Sequence, residues 1–113
     1  MRIPEKGSAV ATVTKTSYPY IVSRPDAFRG RPHIDGTRIR VSDIMVQHEF
    51  QGQTAEEIAL AFDHLTPAQI HSALAYYYDH KEEIRAEVEE DARLAEEYRR
   101  QHSDRVTDQA DRR

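Results

Sequence analysis

The sequence lacks cysteine and tryptophan and has only four glycines among its 113 residues. Without cysteine the chain has no disulfide, no thiolate ligand for zinc or an iron–sulfur cluster, and no thiol nucleophile. The isolated glycines exclude a glycine-rich phosphate loop and a Gly-x-Ser-x-Gly nucleophile elbow. No run approaches the roughly 18 apolar residues of a membrane span, and the first residues lack the apolar stretch of a signal peptide. We therefore expect a cytoplasmic protein without a membrane partner.

Charge is distributed unevenly along the chain. Residues 1–50 carry a net charge of +3, residues 51–78 one of −3, and residues 79–113 one of −4. A basic front and an acidic rear indicate two surfaces with different partners, and the basic surface suits phosphates. The length fits one compact domain, whereas a composition of 32% charged and 38% hydrophobic residues predicts that part of the chain lies outside its core.

No arrangement of residues indicates catalysis. The six histidines include no His-x-x-x-His pair that would place two imidazoles on one helix face for a metal ion. The acidic pairs at 56–57 and 82–83 lie in predicted helices, where capping or solvent exposure explains them. We assign no catalytic residue, metal site or cofactor, and expect a protein that is not an enzyme.

The first forty residues predict short strands. Residues 1–17 lack periodicity and are interpreted as a flexible arm in which residues 9–13 are a candidate edge strand, and the β-branched and aromatic residues 20–24 predict a strand. Asp35 and Gly36 favour a type I′ hairpin turn. Residues 37–41 alternate, so Arg38 and Arg40 are expected to point away from the buried face, toward solvent or a ligand.

Helical periodicity begins after residue 41. Ser42 is a predicted N-cap for a first helix at about 43–51, ended by Gly52. Two capping boxes, at residues 54–57 and 66–69, start a second helix with Ile58, Ala61 and Phe62 inward and a third helix at Pro67. No glycine or proline follows Pro67, so the third helix is predicted to run unbroken to about residue 103, followed by a disordered tail.

The predicted third helix has an apolar seam longer than a small core needs. Seven of its nine positions spaced by three or four residues from Ile70 to Tyr98 are apolar, and Lys81 and Asp91 are the interruptions. Its rear half is therefore expected to pack on another chain.

Three helices with a tight turn between the second and third are typical of a helix-turn-helix that places its third helix in the DNA major groove. The first two turns of that helix carry no lysine or arginine for phosphates, although Gln69 could read an adenine edge. A helical hairpin that only closes a core is the alternative. The arginines at 24, 29, 31, 38 and 40 are candidate phosphate contacts, or else solvated surface residues.

The motifs resemble those of the domain-of-unknown-function 433 family. The first of these motifs is residues 30–41. Their sequence, Gly-Arg-Pro-His-Ile-Asp-Gly-Thr-Arg-Ile-Arg-Val, is similar to the family pattern Gly-x-Pro-x-Ile-x-Gly-Thr-Arg-Ile/Val-x-Val. An Asp-Ile pair at 43–44, Glu-Glu-Ile at 56–58, Leu-Thr at 65–66, Gln-Ile at 69–70 and Ala-Leu-x-Tyr-Tyr at 73–77 follow in the family's order. The resemblance covers about residues 18–85.

The resemblance implies a small winged-helix or homeodomain-like helix-turn-helix domain, mainly α, preceded by short β-strands and followed by a long C-terminal helix. It also implies a VapB-type antitoxin that binds operator DNA as a homodimer and neutralises a PIN-like ribonuclease toxin encoded next to it. Three segments follow: an arm at 1–17, the domain at 18–85, and an acidic amphipathic helix and tail at 86–113. The candidate DNA-binding residues are Arg29, Arg31, Arg38, Arg40, Gln69, His71 and Ser72. The candidate toxin-binding residues are Ile84, Val88, Glu89, Glu90, Leu94 and Tyr98.

A non-catalytic protein-interaction adaptor, or a simple transcriptional regulator on the same fold, is the alternative. DNA binding that depends steeply on salt favours the antitoxin or regulator, because neutralised phosphates release counterions. An adaptor would bind DNA weakly and without sequence preference, or would not bind it.

Overall fold

The computed structural model describes residues 13–62 and 64–102. This part of the chain is mainly helical and begins with three short strands, which confirms the expected fold class. The strands are β1 (Thr14–Lys15), β2 (Ile21–Ser23) and β3 (His33–Ile34). The helices are α1 (Val41–Met45), α2 (Ala55–Ala61), α3 (Pro67–Asp79) and α4 (Lys81–Gln101). None of these helices combines the length and the hydropathy that a membrane crossing requires.

The strands form one antiparallel sheet in the order β1, β2, β3. Ile21 and Val22 of β2 are buried, as expected for the β-branched run at 20–24. Strand β1 falls within the arm predicted for residues 1–17, so that prediction is wrong for Thr14 and Lys15. Residues 1–12, which hold most of the candidate edge strand 9–13, lie outside the described residues. Because β2 is paired with a strand on each side, it has no free edge with which a second copy of the chain could pair.

The turn at Asp35 and Gly36 is present but is not of type I′. Thr37 N–H donates to the Ile34 carbonyl at 3.1 Å, and Gly36 has a φ of 77° whereas Asp35 has no positive φ. A type I′ turn requires a positive φ at both central residues. After the turn the chain makes one bridge, from Arg40 to His33, and enters α1, so residues 37–41 do not form the predicted strand.

Helix α1 begins two residues before the predicted start. Val41 is fully buried and its N–H donates to the Pro32 carbonyl at 3.0 Å, which places the first helical residue at Val41. Arg40 is therefore the N-cap, and Asp43 accepts its backbone N–H at 2.9 Å. The predicted N-cap, Ser42, is instead a buried residue inside the helix. A π-helical turn, Val46–Phe50, continues α1 before Gly52, whose φ is 72°.

Both predicted capping boxes are confirmed. Thr54 Oγ1 accepts the Glu57 N–H at 3.1 Å at the start of α2, and Thr66 Oγ1 accepts the Gln69 N–H at 3.2 Å at the start of α3. Each partner side chain bonds back to the N-cap N–H. Between the two helices, the Leu65 N–H donates to the Phe62 carbonyl at 2.8 Å. Ala61 is exposed, contrary to its predicted inward position, because the face of α2 that packs on the core runs through Ala55, Ile58, Ala59 and Phe62.

The predicted single long helix is broken at His80. This residue has φ −134° and ψ 45°, so α3 ends at Asp79 and α4 starts at Lys81. The His80 ring stacks on Tyr76 with 4.2 Å between centroids, and its Nδ1 lies 3.0 Å from the Tyr76 carbonyl oxygen. No local breaker residue marks this position. The bend is favourable because it returns α4 to the domain, where Ile84 is fully buried.

The core lies between the sheet and the helices, and every helix contributes to it. Along the predicted apolar seam, Ile70, Leu74, Tyr77 and Ile84 are all buried in this core and Val88 packs against it. The first half of the seam therefore packs in the core of the same chain. The members of the core are Ile21, Ile34, Val41, Ile44, Met45, Ala55, Ile58, Leu65, Ile70, Ala73, Leu74, Tyr77 and Ile84.

Candidate functional site

A strained turn before β3 positions the first two arginines of the site. The 3-10 turn Phe28–Gly30 contains positive φ angles at all three residues, 55° at Phe28, 57° at Arg29 and 78° at Gly30. For residues with a Cβ this conformation costs about 1 kcal/mol each, so the surrounding structure must hold it. The turn directs Arg29 and Arg31 toward α4.

Two adjacent carboxylates of α4 bind these arginines. Arg31 Nη1 donates to Asp91 Oδ1 at 2.8 Å and its Nη2 donates to Glu90 Oε1 at 2.7 Å. Arg29 Nη1 donates to the second oxygen of Glu90 at 3.2 Å. Arg40, at the start of α1, donates through Nη1 to the second oxygen of Asp91 at 3.1 Å. We call these five residues the arginine clasp.

The clasp is partly removed from solvent. The Arg31 side chain is only 9% exposed, whereas those of Asp91 and Glu90 are 38% and 42% exposed. Charge-assisted hydrogen bonds to a nearly buried guanidinium are stronger than exposed ion pairs. Arg31 therefore carries most of the attachment of α4 to the loop before β3.

Two carboxyl groups at the clasp have pKa values shifted in opposite directions. For Asp91, burial favours the neutral form, but hydrogen bonds and charge from Arg31 and Arg40 outweigh it and lower the pKa below 3.8. For Glu87, burial outweighs the same two arginines and, helped by the Glu83 and Asp91 carboxylates, raises the pKa to about 7. Among the described residues, Glu87 Oε1 is buried without a hydrogen-bond partner.

The predicted DNA-binding residues are divided between two places. Arg29, Arg31 and Arg40 meet at the clasp, so the expectation that Arg40 points to solvent or a ligand is wrong: it bonds both Asp91 and Asp43. The physical reason is that α4 folds back over the loop and supplies the counter-charge. Arg38 is exposed.

The other predicted DNA contacts lie on α3, away from the clasp. Gln69 Oε1 accepts the Thr66 N–H at 2.8 Å, the His71 Nε2 lies 3.8 Å from Glu56 Oε2, and the Ser72 hydroxyl donates to the Pro19 carbonyl. Gln69 and Ser72 are thus occupied in holding the fold. Helix α3 carries no lysine or arginine.

A family comparison identifies the segment that contains these arginines. The family described as "Protein of unknown function (DUF433)" matches residues 21–77, just over half of the chain. The chain belongs to the DUF433 family. Neither the curated proteins nor the solved structures gave a match.

The DUF433 segment supplies only one side of the clasp. It spans β2 through Tyr77 of α3 and contains Arg29, Arg31 and Arg40, but it ends before α4. Glu90 and Asp91 therefore lie outside the matched segment. Residues 30–41 of this segment form the loop, β3, the turn and the start of α1, which is the part of the fold that positions Arg31 and Arg40.

The predicted partner-binding residues differ strongly in exposure. Ile84 is fully buried in the core, and Glu90 binds Arg29 and Arg31, so neither side chain is available to a partner while α4 is docked. Val88 packs against the core, Glu89 is exposed and Leu94 is half-buried. Tyr98 is 61% exposed. The predicted residues that remain exposed are thus Glu89, near the middle of α4, and Tyr98, near its end.

One residue of the site was not among the predicted ones. Asp91 was interpreted only as an interruption of the apolar seam. An acidic residue inside a helical seam, in a chain whose arginines precede the first helix, is the signal that could have identified Asp91. In the part of the chain that the structure describes, no cluster of three or more histidine and carboxylate side chains is arranged to hold a metal ion.

Proposed function

We propose that this DUF433 protein is the antitoxin of a type II toxin–antitoxin pair. In this proposal it neutralises a PIN-like ribonuclease through the end of α4 and, as a homodimer, binds its own operator DNA. The observation that carries the proposal is the exposed end of α4, residues 92–101, which we call the α4 overhang. Within the described residues, the ion pairs and hydrogen bonds of the overhang stay within the helix and its C-cap, as in Arg93 with Glu97 and His102 with Tyr98.

The α4 overhang carries apolar residues that its own domain buries only in part. Leu94, Ala95 and Tyr98 lie on one face of the helix by their spacing, and Tyr98 is 61% exposed. Ten residues of isolated helix are only marginally stable in water. A helix with an apolar face and no core of its own is typical of a segment that docks in a groove of a partner protein.

The charge of α4 supports a partner with a basic groove. Glu82, Glu83 and Glu89 are exposed on this helix, and carboxylates complement the positive channel in which a ribonuclease holds its RNA. Inhibition would then follow from occlusion of the channel. Glu96 of the overhang is exposed as well, so the partner would contact both the overhang and the half of α4 nearer the domain.

The test is growth rescue in cells that express the adjacent reading frame. The decisive variant ends at Asp91, because this truncation removes the overhang but keeps Ile84, Val88 and the arginine clasp. We expect it to fold and to lose rescue. Leu94→Glu and Tyr98→Glu are expected to weaken rescue, whereas Leu60→Glu, at a side chain 82% exposed on α2, is the matched control and should rescue normally.

Two results would contradict the proposal. If the chain ending at Asp91 still restores growth, the overhang is not the neutralising segment. If the adjacent reading frame is harmless, no toxin is there to neutralise. The homodimer is tested separately by light scattering at micromolar concentration, where a monomer mass would contradict it.

A protein-interaction adaptor is the second candidate function. It is favoured by α3, which has no lysine or arginine and whose Gln69 and Ser72 are engaged within the fold. An adaptor predicts no binding to upstream DNA beyond that to an unrelated duplex. The antitoxin predicts tighter binding to the upstream duplex, with an affinity that falls steeply as salt increases.

A further inference from the structure

We propose that Arg29, Arg31 and Arg40 form a phosphate-binding surface for nucleic acid that α4 covers with Glu90 and Asp91. Docked α4 and nucleic acid then exclude one another. The inference rests on the DNA-binding part of the proposed function and specifies how that binding is controlled.

The geometry of the clasp matches phosphate recognition. Each α4 carboxylate bridges two guanidiniums: Asp91 accepts from Arg31 at 2.8 Å and from Arg40 at 3.1 Å, and Glu90 accepts from Arg31 at 2.7 Å and from Arg29 at 3.2 Å. Arginine recognises carboxylate and phosphate oxygens with the same planar set of N–H donors. The arginine side of the clasp is therefore suited to phosphate oxygens at the positions that the carboxylates now occupy.

Covering and binding cannot occur together. Arg31 is 9% exposed with α4 docked, and two of its terminal N–H donors are already taken by Glu90 and Asp91. A phosphate can reach these donors only after the carboxylates leave. Nucleic acid must consequently displace this part of α4 to contact Arg31.

The backbone before Arg31 is preorganised. Phe28 and Arg29 adopt consecutive positive φ angles, and the Phe28 ring packs edge-to-face on the buried His33 ring with 4.9 Å between centroids. Residues held in such sparsely populated backbone conformations are common at binding sites. Here this conformation directs Arg29 and Arg31 to the same side of the loop.

Electrostatic interactions both favour and oppose the docking of α4. Arg31 and Arg40 attract Glu90 and Asp91, but the half-buried Glu87 places a third carboxylate at the same surface, with Oε1 lacking a hydrogen-bond partner among the described residues. The attraction of the arginines for Glu90 and Asp91 and the desolvation of the Glu87 carboxylate therefore oppose each other within one turn of α4. A competing polyanion therefore has less to overcome than the ion pairs alone indicate.

The experiment compares duplex binding by the full chain and by Glu90→Gln/Asp91→Asn. The probes are a duplex from the chain's own upstream DNA and an unrelated duplex of equal length, because phosphate contacts do not depend on sequence. Glu82→Gln/Glu89→Gln is the control, since it changes the net charge equally at exposed positions of the same helix. We expect the clasp variant to bind both duplexes about tenfold more tightly than the control at about 0.1 M salt, with a salt slope steeper by roughly 2. Arg31→Ala added to the clasp variant should remove the gain.

Each other outcome has a definite meaning. If the control gains as much affinity as the clasp variant, the effect is general charge and the covered surface is wrong. If the full chain and the clasp variant bind equally and Arg38→Ala weakens both, DNA binding stands and only the cover is wrong. If neither duplex binds any variant at low salt, both the surface and the DNA-binding function are wrong. Should the double variant fail to fold, Asp91→Asn alone carries the same comparison.

Discussion

Replacing Glu87 and Asp91 one at a time by their amides should change stability in opposite directions, although the two residues are one helical turn apart. Asp91→Asn removes the charge that binds Arg31 and Arg40 at 2.8 and 3.1 Å. Hydrogen bonds involving charged groups contribute about 1.5 to 3 kcal/mol, and the Asp91 side chain is 38% exposed, so screening reduces the loss. We expect a destabilisation of about 1 to 2 kcal/mol at pH 8.

Glu87→Gln should instead stabilise the protein at pH 8. Burial raises the pKa of Glu87 from 4.5 to about 7. The stability contributed by its neutral form is therefore fully present below about pH 4.5 and is lost as the pH rises through 7. The shift sets a ceiling of roughly 3 kcal/mol, which solvent screening of a half-buried group reduces to about 1 kcal/mol. The amide removes this penalty.

The assay is urea unfolding of the wild type and both variants at pH 5 and pH 8. The gain from Glu87→Gln should be about 1 kcal/mol at pH 8 and close to zero at pH 5, where Glu87 is already protonated. The lowered pKa of Asp91 means that its contribution is present above pH 3.8 and is lost only as the pH falls through the still lower folded value, so Asp91→Asn should destabilise at both pH values. Destabilisation by Glu87→Gln at pH 8, or an equal gain at both pH values, would refute this reasoning.

Three further predictions concern the fold. Ile84→Ala removes a fully buried side chain that joins α4 to the core and should lower the free energy of unfolding by about 2 to 5 kcal/mol. The control Leu60→Ala, at an 82% exposed side chain, should change the free energy of unfolding by less than about 0.5 kcal/mol. Equal effects of the two substitutions would contradict the docking of α4. Thr66→Ala should cost about 1 kcal/mol in urea unfolding through the lost cap of α3, and Thr66→Asn, which can still cap, should retain most of that stability. Gly36→Ala should cost about 1 kcal/mol through the φ of 77° alone, because no atom lies within 4 Å of the added Cβ; a thermal melt that shows stabilisation would contradict the turn geometry.

Local signals predicted much of the helical part of the fold. Both threonine capping boxes and Pro67 at the first position of α3 form as predicted, because a cap involves donors and acceptors only three residues apart. The motifs that resembled the DUF433 family also led to the matched segment. A helix start with more than one candidate N-cap was predicted less well. Ser42 is a good N-cap by residue type, but the burial of Val41 moved the start of α1 to Val41, with Arg40 as its N-cap.

The end of α3 could not be predicted from local sequence. Residues 67–101 contain neither glycine nor proline after Pro67, and His80 has no strong tendency to end a helix. The break depends on what α4 gains by turning back, namely the burial of Ile84 and the contacts of Glu90 and Asp91 with arginines about sixty residues earlier. Because of the bend at His80, half of the apolar seam that was predicted to pack on another chain is part of the core of this chain.

The sequence by itself determined where the helices α2 and α3 begin, that the glycines allow turns at 36 and 52, and that no thiol chemistry is available. These features depend on residue type and on neighbours within a few positions. Only the tertiary structure decided the role of the charges. Arg31 and Asp91 are separated by sixty residues, and they became partners because the bend at His80 packs α4 against the loop before β3. Whether a charged side chain faces solvent or a counter-charge depends on which distant segments the hydrophobic core brings together.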